Sequence, residues 1–245
     1  MTEDHFGEDV ASRYDESTAA MFDPAAVDPV VDFLAARAGD GRVLELGIGT
    51  GRIALPLAAR GISVHGIDLS EAMVARLRAK PGAQWIEVTI GDFATTRVGG
   101  EFSLAYLVFN TIENLTTQDE QVACFANVSA HLEPGGCFVV EVEVPQLQRL
   151  PPGETVRPFD VGPTHLGFDE LDVARQGLIS HHWSLVDGVW DAASIPFRYV
   201  WPAELDLMAR LAGMTLRERW GGWQREPFTS ESTKHVSVWQ KPTGA

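Results

Sequence analysis

Apolar residues recur at helical spacing over 24–38 (PAAVDPVVDFLAARA), which predicts a helix closed by Gly39. A short apolar strand at 42–46 follows, then a glycine-rich turn, then helical spacing again near 52–60. Strand signals at 63–68, 84–90, 102–109 and 137–144 alternate with a helix from Ser70 and another over 117–133. The Ser70 hydroxyl is placed to cap its helix, Glu71 suits the dipole there, and Pro134-Gly135-Gly136 reads as the stop of the longer helix. This alternation predicts an α/β fold: a Rossmann-like, doubly wound, mostly parallel sheet covered on both faces.

After Pro145 the pattern changes. The proline-rich stretch 145–158 reads as a loop leaving the sheet. Asp187-Gly188 between apolar flanks predicts a two-residue hairpin turn, and 194–201 alternates Ile195, Phe197, Tyr199 and Trp201 on one face. A helix over 202–213, opened by Pro202 and ended by Gly213, precedes two closing antiparallel strands, TLRERW and KHVSVWQ. The expected organisation is a domain built from 1–144 and 202–245, with an antiparallel β-rich insertion at 145–201.

The turn Glu45-Leu-Gly-Ile-Gly-Thr-Gly51 sits where a strand becomes a helix. A dinucleotide site needs Gly-x-Gly-x-x-Gly, but Arg52 occupies the third-glycine position here. A pyrophosphate would also meet the like charge of Glu45, whereas a cofactor with a cationic amino-acid end suits it. Asp68 ends the second strand, where a carboxylate can accept both hydroxyls of a ribose. Asp92 ends the third within Gly91-Asp92-Phe93, within reach of an adenine amine. Acids at the carboxyl ends of consecutive strands line one crevice, the place where open α/β sheets bind ligands.

These residues, with Ile67-Asp68-Leu69-Ser70 and Leu132-Glu-Pro-Gly-Gly136, resemble a class I S-adenosylmethionine-dependent methyltransferase of the small-molecule type. The likeness covers about residues 10–144, and more loosely 202–240. It implies that S-adenosylmethionine is the cofactor, that Gly47 and Gly49 approach its methionine portion, and that Ile48 between them also lies at the cofactor. Asp68 would hold the ribose, Met73 would pack on the adenine, Asp92 and Phe93 would frame its edge, and Leu69 and Gly91 would also lie at the cofactor. Tyr14, beside Asp15, would close over the cofactor, and Phe109 would form an aromatic wall with it. The insertion is similar in architecture to that of amino-sugar N-methyltransferases. Asn110 and Thr111 lie where the family positions its acceptor, and His182 and Trp183 are further acceptor candidates. His165 and His181 are alternative bases, and adjacent strand residues face opposite ways, so only one of His181 and His182 can face the site. Trp223 and Phe228 complete the candidate aromatic walls. No residue is assigned to catalysis and no metal is expected.

The formal net charge of −15 disfavours nucleic acid and anionic membranes as partners, and residues 109–112 lack the Asn/Asp-Pro-Pro-Tyr signature of nucleic-acid amino-methyltransferases. The densest basic group, Arg76, Arg78 and Lys80, reads as a solvated helix end. Cys124 and Cys137 read as small buried hydrophobes. The acidic N-terminal stretch lacks the apolar core of a signal peptide, and no apolar run approaches the roughly 18 residues of a membrane span. The expectation is a cytoplasmic enzyme that methylates a nitrogen or oxygen of a small molecule, with a homodimer through the hairpin strands as an option. Two alternatives stand: a nicotinamide-dependent oxidoreductase, and a non-catalytic protein that binds S-adenosylmethionine.

Overall fold

The computed structural model describes residues 4–244, so residues 1–3 of the acidic N-terminal stretch and residue 245 lie outside it. Two short helices, α1 (Glu8–Ala11) and α2 (Tyr14–Ser17), precede α3 (Pro24–Ala38). Then follow β1 (Val43–Leu46), α4 (Ala54–Ala59), β2 (Val64–Asp68), α5 (Glu71–Arg78), β3 (Glu87–Ile90) and β4 (Phe102–Leu107). Next come α6 (Gln118–His131), β5 (Leu132–Glu143), and an antiparallel run of β6 (Val156–Val161), β7 (His165–Asp172), β8 (Gly177–Val186) and β9 (Val189–Arg198). The chain closes with α7 (Pro202–Leu211), β10 (Thr215–Trp220) and β11 (Lys234–Gln240).

Among the described residues there are two sheets. The larger has the order β10-β11-β5-β4-β1-β2-β3, and the smaller β6-β7-β8-β9. Strands β1 to β5 are parallel, while β11 runs antiparallel to β5 and β10 antiparallel to β11. Successive residues of the central strands alternate between two cores, as strand geometry requires. Val43, Leu104, Tyr106 and Val139 pack with α3, α4 and α5, whereas Leu44, Ala105, Leu107 and Val140 pack with α6 and α7. The sheet is therefore doubly wound, as the alternation of elements predicted.

Several boundaries differ from the sequence reading. α6 ends at His131, and Pro134-Gly135-Gly136 is no helix stop: it lies inside β5, which begins at Leu132. The segment 84–90 opens with a 3-10 turn over Ala83–Trp85, so β3 is shorter than expected. The last strand of the insertion ends at Arg198, leaving Tyr199 and Trp201 outside it. Part of the 145–158 stretch is strand, because Val156 pairs with Glu170 of β7. The hairpin turn is as read: Asp187 and Gly188 both take positive φ, and Val186 pairs with Val189.

Gly51 has a packing role that the motif alone conceals. Its φ is +83°, and a Cβ there would lie 2.3 Å from Cδ1 of the buried Leu77 on α5. Gly61 has the same φ with open space around it. Gly61→Ala should therefore cost only backbone strain, about 1–2 kcal/mol. Gly51→Ala should cost about 2–5 kcal/mol, because the overpacking adds to the strain. Urea unfolding of both variants measures the difference, and equal losses would remove the steric role assigned to Gly51.

Candidate functional site

The carboxyl ends of β1, β2 and β3 open on a crevice with an empty volume of about 750 Å³. Its floor is the glycine turn, bent by positive φ at Gly47 (69°) and Gly49 (54°). At Gly47 a Cβ would meet Thr111 Cγ2 at 2.6 Å; at Gly49 it would meet only the Met73 methyl, at 3.4 Å. Gly49 thus leaves a cradle that any side chain would fill.

Asp68 ties the walls together. Its Oδ2 accepts the Gly49 amide at 2.6 Å and its Oδ1 accepts the Ser70 amide at 2.9 Å. Burial raises its carboxyl pKa above the ordinary value. The Ser70 hydroxyl accepts the Met73 amide, capping α5 as expected, and donates to the Phe6 carbonyl at 2.7 Å. Asp92 Oδ1 accepts the Ala94 amide at 2.8 Å, which holds the turn after β3.

The crevice is closed by the N-terminal segment. Tyr14 and Phe6 border it, their rings edge to face at 6.3 Å, and burial raises the Tyr14 phenol pKa. Asp15 anchors this segment by accepting the Thr50 hydroxyl at 2.5 Å and pairing with Lys80, while Arg76 pairs with Glu8. Lys80 also donates to the Thr50 carbonyl at 2.9 Å. The basic group read as a solvated helix end is therefore two-thirds clasp: Arg76 and Lys80 hold the N-terminal segment, and Arg78 donates to the Ala83 and Ile86 carbonyls.

Of the residues expected at the cofactor, Tyr14, Gly47, Gly49, Asp68, Leu69, Met73, Asp92 and Phe93 border the crevice, and so does Thr111 from the acceptor set. Glu45, Ile48, Gly91 and Phe109 do not. Glu45 is buried beneath the turn with Oε2 unpartnered, and Ile48 packs over Gly66. The Gly91 amide donates to the Asp68 carbonyl. Phe109, at φ +57°, stands 5.5 Å from the Arg52 guanidinium instead.

Asn110 accepts the Glu143 amide at 2.9 Å rather than facing the crevice. His182 lies between His165 and Ser180, and Trp183 stacks on Phe168 at 5.3 Å; neither borders the crevice. Trp223 is core, edge-on to Phe33, and Phe228 lies against His235. The sequence reading missed Asp4, His5, Phe6, Ser70, Asn114 and Leu115 in the wall. Ser70 and Leu115 flank residues it had chosen, whereas nothing local in 4–6 marks a closing segment. Among the described residues no group of three or more His, Cys, Asp or Glu side chains is placed to hold a metal ion.

This donor set suits an adenosyl sulfonium group. A bare glycine cradle, a carboxylate with lone pairs to spare for hydroxyls, and apolar walls from Met73, Phe93 and Leu115 meet its three parts.

Glu45 carries a testable consequence. Burial pushes its carboxyl up to about 8 from 4.5, so the folded chain holds a proton there that the unfolded chain releases. Stability is full below about pH 4.5 and declines as pH rises toward 8. Glu45→Gln removes that dependence. Its melting temperature should gain on the wild type from about pH 5 to about 8.5, and a constant gap would mean that Glu45 ionises normally.

Residues 43–136 match the model of a methyltransferase domain. The solved structure of the CcbJ methyltransferase from Streptomyces caelestis is 38% identical with a TM-score of 0.86, covering 97% of this chain and 98% of that one. The cypemycin N-terminal methyltransferase of a Streptomyces species is 27% identical over 240 residues, 94% of this chain and 98% of its own. A dTDP-3-amino-3,4,6-trideoxy-alpha-D-glucopyranose N,N-dimethyltransferase from Streptomyces venezuelae is 33% identical over 100 residues, 40% of this chain and 41% of its own. With identity of this extent running through both sheets, the chain belongs to the class I S-adenosylmethionine-dependent methyltransferases, enzymes that transfer a methyl group from that cofactor.

Proposed function

We propose that this enzyme methylates a nitrogen of a small, amine-bearing metabolite, with the cofactor held between the glycine turn and the N-terminal segment. Bound there, S-adenosylmethionine supplies an electrophilic sulfonium methyl for in-line displacement. Asp68 is the acceptor for the ribose hydroxyls, because each carboxylate oxygen that takes a backbone amide keeps a further lone pair. Gly47 and Gly49 face the methionine portion. Met73, Leu69 and Phe93 pack against the adenine, with Asp92 at its edge. Tyr14 and Phe6 exclude water from a transition state in which charge disperses, and Tyr14 favours a cation through its ring.

Thr111 and Asn114, polar groups on the wall next to β4, orient the acceptor, and holding it in line is worth roughly 7–11 kcal/mol of barrier. The observation that carries this reading is the convergence of Gly49, Asp68 and Met73 on one crevice closed by Tyr14. Nitrogen is favoured over oxygen by relatives whose names specify it, the amino-sugar N,N-dimethyltransferase among them. The 145–201 insertion is the acceptor-side lid. The net charge of −15 supports a metabolite rather than nucleic acid as substrate. Exposed Val161, Val189 and Trp190 on the small sheet favour pairing of two copies.

The test is calorimetric titration with S-adenosylhomocysteine and NADH, then mass spectrometry of an amine and amino-sugar panel incubated with S-adenosylmethionine. Binding of S-adenosylhomocysteine and methylated amine products are expected; products on hydroxyls alone would overturn the nitrogen assignment. Asp68→Ala should raise the S-adenosylhomocysteine dissociation constant roughly 30- to 150-fold, the loss of two charge-assisted hydrogen bonds. Asp15→Ala, which releases the N-terminal clasp without touching the crevice wall, should raise it about 3- to 10-fold. Unchanged affinity in either variant would remove that residue's assigned role.

A further inference from the structure

A second cavity, with an empty volume of about 450 Å³, lies between the small sheet and the main domain. Its wall includes Glu113, Glu143 and Asp169, with Arg157 and the apolar Leu171 and Leu178. Glu113 stands on the 3-10 turn Thr111–Asn114, whose Thr111 and Asn114 border the first crevice. One turn of chain therefore serves both cavities.

Glu113 is the anomaly. It is only 9% exposed, yet its carboxylate has no hydrogen-bond or ion-pair partner among the described residues. Its like-charged neighbours make matters worse: Glu143 on β5 and Asp169 on β7 face the same space. The cation on the wall, Arg157 of β6, is engaged with Asp169 at 3.4 Å. Tyr199, after β9, adds an aromatic wall. A carboxyl this enclosed, with its oxygens open to the cavity alone, is costly to ionise, and packing alone would be better served by an apolar side chain. An uncompensated acid inside a partly apolar cavity is the complement of a cation that brings its own hydrogen-bond donors.

We propose that this cavity is a recognition subsite for an ammonium group carried by the methyl acceptor, with Glu113 as its counter-ion. The subsite rests on the methyl-transfer reading only for the identity of the molecule that carries the ammonium. The turn then couples recognition to transfer: the ammonium fixes Glu113 on one side while Thr111 and Asn114 present the reacting end to the crevice on the other.

Burial, aided by Glu143 and Asp169, pushes the Glu113 carboxyl up to about 8. Ammonium binding requires the ionised form. Affinity should therefore rise about tenfold per pH unit up to about pH 8 and then level off.

The test is an NMR titration of the full chain with cyclohexylamine and with the neutral isostere cyclohexanol, each with and without S-adenosylhomocysteine. The amine should shift the amide signals of Glu113, Leu171 and Tyr199, with a dissociation constant on the order of 1–10 mM near pH 8. The alcohol should not bind. Glu113→Gln should weaken the amine about tenfold or more while S-adenosylhomocysteine binding stays unchanged. Should Glu113→Gln fail to fold, the Glu113 carboxyl carbon of the wild type gives the same answer: at pH 7 it should be protonated alone and ionised with the amine.

No shift at about 50 mM amine, equal binding of the alcohol, or an unaltered carboxyl signal would each overturn the subsite. Loss of S-adenosylhomocysteine binding with the amine response intact would instead count against the cofactor crevice and leave the subsite standing.

Discussion

The carboxylate of Asp68 is the joint on which the crevice depends. It leaves the end of β2 and accepts one amide from the glycine turn and another from the start of α5. Without it, Gly49 and Ser70 would carry unpaired amides at the mouth of the sheet, where burial makes such groups costly. The same atoms shape the ligand wall. Fixing Gly49 keeps its backbone low, and fixing Ser70 lets its hydroxyl cap α5 and reach the Phe6 carbonyl. One side chain thus sets the floor, one wall and an anchor of the closing segment. Its raised pKa follows from the burial this requires.

The closing segment is held by charge and hydrogen bonds rather than by a deep apolar seam. Asp15 with Lys80 and Thr50, Glu8 with Arg76, and the Phe6 carbonyl with Ser70 are its main ties. Arg76 and Glu8 are both well exposed, with side-chain accessibilities of 43% and 67%, so that pair is screened and weak. Helices α1 and α2 are four residues each, too short to persist without tertiary support. A segment tied in this way can open at modest cost, which suits a lid that must admit a cofactor and release its product.

The sequence made the sheet legible because strand–helix alternation and the two closing strands are local patterns of hydrophobicity. The Asp68 and Met73 positions were legible too, since strand ends and helix starts are punctuated by Ser70 and the glycines. Other features depend on partners distant in sequence. Arg76 and Lys80 looked like solvated cations because Glu8 and Asp15 lie more than sixty residues away. Pro134-Gly135-Gly136 looked like a stop because that tripeptide ends helices in isolation. Here the Gly135 amide donates to the Lys241 carbonyl, and that bond beyond β11 keeps the chain extended. Glu45 looked like a ligand group from its place before the turn, but β1 is buried on both faces and takes the side chain inward.

Phe109 and Asn110 are both non-glycine residues at positive φ, 57° and 58°. Two such residues in succession are strained by about 1–3 kcal/mol each unless their surroundings hold them. Glu141 supplies that hold: Oε2 accepts the Phe109 amide at 3.1 Å, its backbone carbonyl accepts the Asn110 amide, and Oε1 accepts Trp223 Nε1 at 2.9 Å. The Asn110 side chain completes the clamp by accepting the Glu143 amide. The strain has a geometric product. By reversing the chain directly after β4, it delivers the turn Thr111–Asn114 edge-on between two cavities, so that Thr111 reaches the crevice and Glu113 the space beneath the small sheet. A regular strand end would have carried those side chains past both. Asn110 and Phe109 therefore shape both cavities without bordering the crevice, by fixing where Thr111 and Glu113 stand.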